Sequence, residues 1–193
     1  VFAAHLGCHW DHSWVAGTEF EKIKHLILYD YAIHWFDIVR CFFGKQPVRN
    51  VFATTARVPQ QTLMPPLMAQ ALIEFDAGQA TLAFDAGVVY GQVDQTFVAG
   101  TGGSLLSQGP SIQSQVLTVA DASGQYSPAL EGSWFPDGLH GTMSELLCAI
   151  EAKRPCTIDA RDNLESLALC FAAIASADSG QPVSPGTVRK LPQ

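Results

Sequence analysis

The sequence predicts an α+β fold: an open-faced, mostly antiparallel sheet with helices packed on one of its faces. The apolar period is helical over Leu26–Phe43, changes to a period of two over residues 48–130, and becomes helical again after residue 136. Short turns join the strand-like segments, which is typical of antiparallel neighbours. Separate runs of strands and helices indicate the α+β class. The 193 residues are enough for one core, and we expect residues 1–193 to form a single domain.

The individual elements follow from local patterns. Alternating apolar residues predict a first strand over residues 1–9, and an ordered loop follows to residue 24. Apolar side chains at helical spacing predict a helix over Leu26–Phe43, which Gly44 ends. Strands are predicted over residues 48–58, 68–75, 79–84, 92–99, 104–107, 113–120 and 125–130. Two late helices are predicted over residues 137–152 and 159–177.

The composition excludes several classes of protein. Hydrophobic residues make up 48% and charged residues 15% of the chain, which argues against disorder. The net charge of −7, without a Lys/Arg cluster, argues against nucleic acid and anionic membranes as partners. No apolar run reaches the roughly 18 residues of a membrane span. The five scattered cysteines contain no CxxC motif, and no signal peptide is visible, so we expect a reducing, cytoplasmic location.

Asp30 and His34 stand four residues apart in the first predicted helix. This spacing places two side chains on one helix face. A carboxylate there can orient an imidazole and raise its basicity, as proton transfer requires. The same spacing is common on solvated helix faces, so the residues alone leave a catalytic and a structural interpretation open.

A second polar group lies in the loop that precedes this helix. His9 and His12, with His5 or His34 as a third ligand, would suit zinc and a metal hydrolase. No cysteine or carboxylate stands at the expected spacing, so we expect no metal site. Trp10 is better read as part of a pocket wall, because indole rings stack on the apolar faces of sugars.

Several motifs, in this order, resemble the C-terminal domain of the Gfo/Idh/MocA oxidoreductases, which include glucose–fructose oxidoreductase and inositol dehydrogenase. The first is the run from Asp30 to Asp37, followed by Phe43-Gly44 and Pro47-Val48. The other matching segments are residues 73–80, 98–105, 141–151 and 160–167. The resemblance covers nearly the whole chain and implies the fold of a glyceraldehyde-3-phosphate dehydrogenase-like C-terminal domain.

The resemblance also implies a chemistry: NAD- or NADP-dependent oxidation of a sugar, polyol or cyclitol hydroxyl, or reduction of the ketone. The family's D-x-x-x-H pattern falls on Asp30 and His34, with His34 as the acid–base residue and Asp30 orienting it. Trp10, His12 and Tyr31 are the candidate substrate-binding residues. A homodimer or higher oligomer through the open face of the sheet is implied as well.

The sequence departs from the family in one respect. The family carries an N-terminal Rossmann domain with a glycine-rich turn and a Glu-Lys-Pro segment, and neither is present here. Residues 100–103 are glycine-rich but match a hairpin turn. We therefore expect a fragment of a longer chain that is inactive alone and does not bind NAD(P) tightly. A non-catalytic binding or oligomerisation module of the same fold is the alternative.

Overall fold

The computed structural model describes residues 1–44 and 46–190 and contains one large sheet. Its strands are Ala3–His9 (β1), Val48–Ala56 (β2), Met68–Phe75 (β3), Gly78–Asp85 (β4), Val93–Gly100 (β5), Gly103–Ser111 (β6), Ser114–Asp121 (β7) and Gly124–Tyr126 (β8). They form an eight-stranded sheet in the order β2-β3-β4-β1-β5-β6-β7-β8. The predicted fold class is confirmed.

Two antiparallel meanders, β2–β4 and β5–β8, lie on either side of β1. The first strand pairs in parallel with β4 and antiparallel with β5. The β1–β4 pair is therefore the parallel exception in an otherwise antiparallel sheet. Because β1 is an inner strand, its C-terminal end and the loop that follows lie near the middle of the sheet. This loop carries Trp10 and His12, two of the predicted site residues.

The helices are Ala32–Phe42 (α1), Leu139–Glu151 (α2) and Ala160–Ser179 (α3). A π-helical turn, Ile27–Tyr31, leads into α1, so the predicted first helix is present but is not regular over its whole length. Leu26, Ile27 and Leu28 are all buried in succession. A regular α-helix presents only one stripe to the core, whereas a widened turn can direct consecutive residues inward.

The core lies between the sheet and the pair α1 and α3. The rings of Phe43 and Phe75 stack at 3.9 Å between centroids, which joins the end of α1 to β3. The hydroxyl of Ser176 on α3 accepts a hydrogen bond from the backbone N–H of Ala53 on β2 at 2.9 Å. These contacts cover one face of the sheet, as predicted.

A buried polar network fixes α1 against α3. The Arg40 guanidinium donates to the backbone carbonyl of Asp162 at 3.0 Å and to the Ser166 hydroxyl at 2.7 Å. It also forms an ion pair with the Asp162 carboxylate at 3.1 Å. The Ser166 hydroxyl in turn donates to Asp37 at 2.6 Å. Since Asp37 and Arg40 share α1 with His34, this network holds the helix that carries the candidate base.

The apolar side chains of α2 are exposed instead of joining this core. They are Leu139, Met143, Leu146, Leu147 and Ile150. No helix among residues 1–44 and 46–190 is long and apolar enough to cross a membrane.

Candidate functional site

Three aromatic rings form a continuous stack beside β1. The Tyr31 ring lies between the indoles of Trp10 and Trp35, with centroid distances of 4.0 and 4.4 Å. Phe84 of β4 meets all three rings edge-on. Because other rings cover both faces of Tyr31, Tyr31 can meet a ligand only through its edge or its hydroxyl.

His12 is buried against this stack. The indole N–H of Trp10 donates to its Nδ1 at 2.9 Å, so the proton of the neutral imidazole lies on Nε2. Burial lowers the pKa of His12, and the carboxylates of Asp30 and Asp11 oppose that shift. His12 is therefore suited to donate a hydrogen bond from Nε2 to a ligand oxygen.

Asp30 lies in the π-helical turn and is half-buried, while His34 is exposed on the first turn of α1. The His34 ring meets the edge of Trp35 at 6.2 Å between centroids. Within the part of the chain that the structure describes, no hydrogen bond joins Asp30 to His34; the charge of Asp30 acts on His12. The predicted pair thus lies in one helical region, and the charge of Asp30 acts on a second histidine, His12.

His34 borders a cavity of about 710 Å³ between α1, the beginning of α2 and the N-terminal end of α3. Side chains from all three helical regions line it, among them Asp37, Cys41, Trp134, Thr142, Ile158 and Asn163. This volume falls within the range of small-molecule sites in proteins. An exposed imidazole at the wall of such a cavity can exchange a proton with a bound ligand.

A smaller cavity of about 230 Å³ is lined in part by Trp10 and Tyr31 of the aromatic stack. Cys8 and Asp94, which are register partners on β1 and β5, both line it. The Cys8 thiol donates to the Asp94 carboxylate at 3.2 Å. Burial is the main cause that raises the pKa of Cys8, of Tyr31 and of Asp94.

The sequence interpretation missed Asp94, although a signal was present. Asp94 alternates with Thr96 and Val98 along β5, and Val98 is buried against the helices. A carboxylate at a core-facing position of a strand is uncommon without a partner or a function. The apolar surroundings of the cysteines predict small buried side chains. This is confirmed for Cys8 and Cys170 and is wrong for Cys41 and Cys148, which are exposed.

The two histidines of the HxxH spacing have different partners. His9 forms a hydrogen bond with Asp85 at 2.8 Å, whereas His12 is bound to Trp10. Among the residues that the structure describes, no group of three His, Cys, Asp or Glu side chains is placed to hold a metal ion. The glycine-rich residues 100–103 join β5 to β6 as a strand–strand turn.

The structure therefore brings Trp10, His12, Asp30 and Tyr31 into one cluster. His34 adjoins this cluster through Trp35 and borders the larger cavity. The arrangement combines a neutral hydrogen-bond donor, an exposed imidazole and an aromatic wall.

A sequence model of the GFO/IDH/MocA C-terminal domain matches residues 2–106. A search of curated proteins gave no match. Among solved structures, an oxidoreductase from Agrobacterium radiobacter in complex with NAD+, L-tartaric acid and magnesium is 19% identical, with a TM-score of 0.77 over 95% of this chain and 56% of that one.

Two other solved structures share the fold. A protein from Sinorhizobium meliloti 1021, provisionally described as a myo-inositol dehydrogenase, is 21% identical, with a TM-score of 0.72 over 96% of this chain and 57% of that one. The WlbA dehydrogenase from Bordetella pertussis, in complex with NADH and UDP-GlcNAcA, is 14% identical, with a TM-score of 0.69 over 95% of this chain and 54% of that one. The chain thus spans a little over half the length of these structures.

Proposed function

We propose, since this chain belongs to the GFO/IDH/MocA C-terminal domain family, that it forms the substrate side of an NAD(P)-dependent oxidoreductase. The substrate would be a sugar, polyol or cyclitol that is oxidised at a hydroxyl, or the ketone that is reduced to it. The observation that carries this proposal is the exposed imidazole of His34 at the wall of the 710 Å³ cavity. Aromatic and polar groups around it suit a polyhydroxylated ligand.

Oxidation of an alcohol removes a hydride from carbon and a proton from oxygen, and the proton requires a base. His34 is the proposed base, because its imidazole is exposed on α1 at the wall of the 710 Å³ cavity. His12 would donate from Nε2 to a second substrate oxygen, with Trp10 holding its tautomer. Asp30, four residues before His34, is proposed to assist the same site, where its charge acts on His12.

A nicotinamide cofactor, when bound, would supply the hydride acceptor. The described residues do not fit its pyrophosphate, because the glycine-rich segment joins two strands instead of opening a helix. We therefore assign this chain the substrate side only. Solved structures of the same fold with NAD+ and NADH, each longer than this chain, support this division.

We also propose that a homodimer or larger oligomer forms through the uncovered face of the sheet. A row of side chains runs directly across it from β2 to β7, and consists of Phe52, Leu72, Thr81, His5, Phe97, Leu106 and Thr118. The apolar members of this row would be removed from water by a second copy. A reducing, cytoplasmic compartment is supported by the cysteines, none of which forms a disulfide among the described residues.

The experiment uses protein expressed from the complete gene and follows NAD(P)H formation with a panel of sugars, polyols and cyclitols. The His34→Asn variant should lose turnover by about 10²-fold or more, which is typical for removal of a general base. The matched control is His140→Asn, an exposed histidine on α2. Full turnover by His34→Asn would contradict the proposal, and absence of turnover by the wild type would favour the non-catalytic module.

A further inference from the structure

The 230 Å³ cavity beside the aromatic stack has a charged group in an otherwise mostly apolar lining. Trp10, Tyr31, Val93, Pro110 and Ile112 contribute apolar surface, and Asp94 contributes a carboxylate. The cavity is smaller than a complete small-molecule site, for which about 300 Å³ is the lower limit. It is suited to one end of a ligand whose remainder lies outside.

Among the residues that the structure describes, the hydrogen-bond donors to the Asp94 carboxylate are neutral. One oxygen accepts from the Cys8 thiol at 3.2 Å, and the other accepts from the Gln115 amide at 3.3 Å. A carboxylate offers about four acceptor positions, so this leaves acceptors for a ligand. Neither donor carries a charge that would offset the cost of burying a carboxylate.

No lysine or arginine among residues 1–44 and 46–190 pairs with Asp94. The cationic group that acts on it is His9, which is engaged with Asp85 and carries a charge only when protonated. Burial raises the pKa of Asp94, which is the direction expected for a carboxylate without a full counter-charge. A cation that enters the cavity would favour the ionised form of Asp94.

We infer that this cavity binds the ammonium group of an amino-bearing substrate, with Asp94 as its counter-ion. The inference rests on the proposed function, because it specifies the substrate of that enzyme as an amino polyol or amino sugar. An ammonium offers three donors and one positive charge. It therefore fits a carboxylate with free acceptors better than a hydroxyl does, and the carbon next to the nitrogen would contact the apolar wall.

The test compares two probes that differ only by an amine in place of a hydroxyl: 2-aminoethanol, protonated at neutral pH, and ethylene glycol. Each is titrated into the ¹⁵N-labelled 193-residue chain at matched ionic strength, and amide and indole resonances are recorded. We expect 2-aminoethanol to shift the Trp10 indole and the amides of Val93 and Asp94. Ethylene glycol should bind about tenfold more weakly, which corresponds to the loss of one modest charge interaction.

Two variants with the same net charge distinguish binding at Asp94 from a general effect of the protein's negative charge. Asp94→Asn keeps the size of the side chain and removes its charge, so the preference for the amine should disappear. Asp121→Asn removes the same charge from an exposed carboxylate at the end of β7, outside the cavity lining, and the preference should remain. Circular dichroism checks that each variant is folded. The comparison of the two probes on the wild type tests the inference even if a variant does not fold.

Equal binding of the two probes by the wild type, or a preference that survives in Asp94→Asn, would overturn the inference. Neither measurement involves a cofactor or turnover. If the ammonium inference is overturned, the proposed oxidation of a hydroxyl with His34 as base is therefore unaffected. Conversely, full turnover by His34→Asn would reject the proposed enzyme while the ammonium site remained as a measured property of the cavity.

Discussion

The indole N–H of Trp10 donates to Nδ1 of His12 at 2.9 Å and thereby places the imidazole proton on Nε2. The two residues are only two positions apart in a loop, yet they form the centre of the cluster that includes Asp30 and Tyr31. His12 is buried, whereas His34 is exposed at the wall of the larger cavity. The two imidazoles thus serve different proposed roles on one site.

The buried neutral state of His12 predicts a pH-dependent stability. Because burial lowers its pKa, the folded protein binds fewer protons at this group than the unfolded chain below the ordinary histidine value of about 6.5. The stabilisation is complete above that pH and is lost as the pH falls toward the lower folded-state pKa. The slope attributable to His12 cannot exceed about 1.4 kcal/mol per pH unit.

The measurement is urea unfolding of the wild type and of His12→Gln between pH 7.5 and 5.5. Glutamine retains an acceptor for Trp10 but does not titrate, so the variant should lose less stability than the wild type as the solution is acidified. Parallel curves for the two proteins would show that His12 is not held neutral.

The network around Arg40 predicts a large structural effect. Arg40→Met removes the guanidinium that donates to Asp162 and Ser166 and should lower the free energy of unfolding by about 3 kcal/mol, because a largely buried ion pair and the hydrogen bonds that join α1 to α3 are lost. Arg49→Met is the matched control, since Arg49 forms an exposed pair with Asp76 and should matter much less. Similar losses in the two variants would show that the buried network does not fix α1 against α3.

The uncovered sheet face predicts a charge-sensitive oligomer. Leu72→Lys places a charge in the middle of that face and should shift the protein to a monomer, as measured by light scattering at tens of micromolar protein. Leu146→Lys on α2 is the control, because the two leucines are 41% and 39% exposed. A monomeric wild type would contradict the oligomer. Dissociation by Leu146→Lys but not by Leu72→Lys would place the interface on α2 instead of the sheet.

The cofactor assignment predicts a negative result in calorimetry. Titration of NADH or NADPH into the 193-residue chain should give no tight binding, because its glycine-rich residues 100–103 form a strand–strand turn. Strong binding of either dinucleotide to this chain would contradict the expectation and would call for a cofactor site within it.

Local patterns were sufficient for most of the secondary structure. The change of period after Gly44 predicts the strands, and the apolar stripes predict α1, α2 and α3, because these signals depend on neighbours within a few residues. The positive φ of Gly44 and Gly180, at +61° and +67°, agrees with their predicted places at helix ends. The family followed from the order of such motifs and is confirmed.

The sequence by itself therefore determined the α+β class, the family and the set of polar residues from which a site could be built. The tertiary structure alone decided that β1 lies between two meanders, because strand order depends on contacts between residues far apart in the chain. That order places Cys8 opposite Asp94, and packing of the loop against α1 places His12 beside Asp30. Neither contact has a local signal, since burial and charge at each residue depend on partners that only the folded chain brings near.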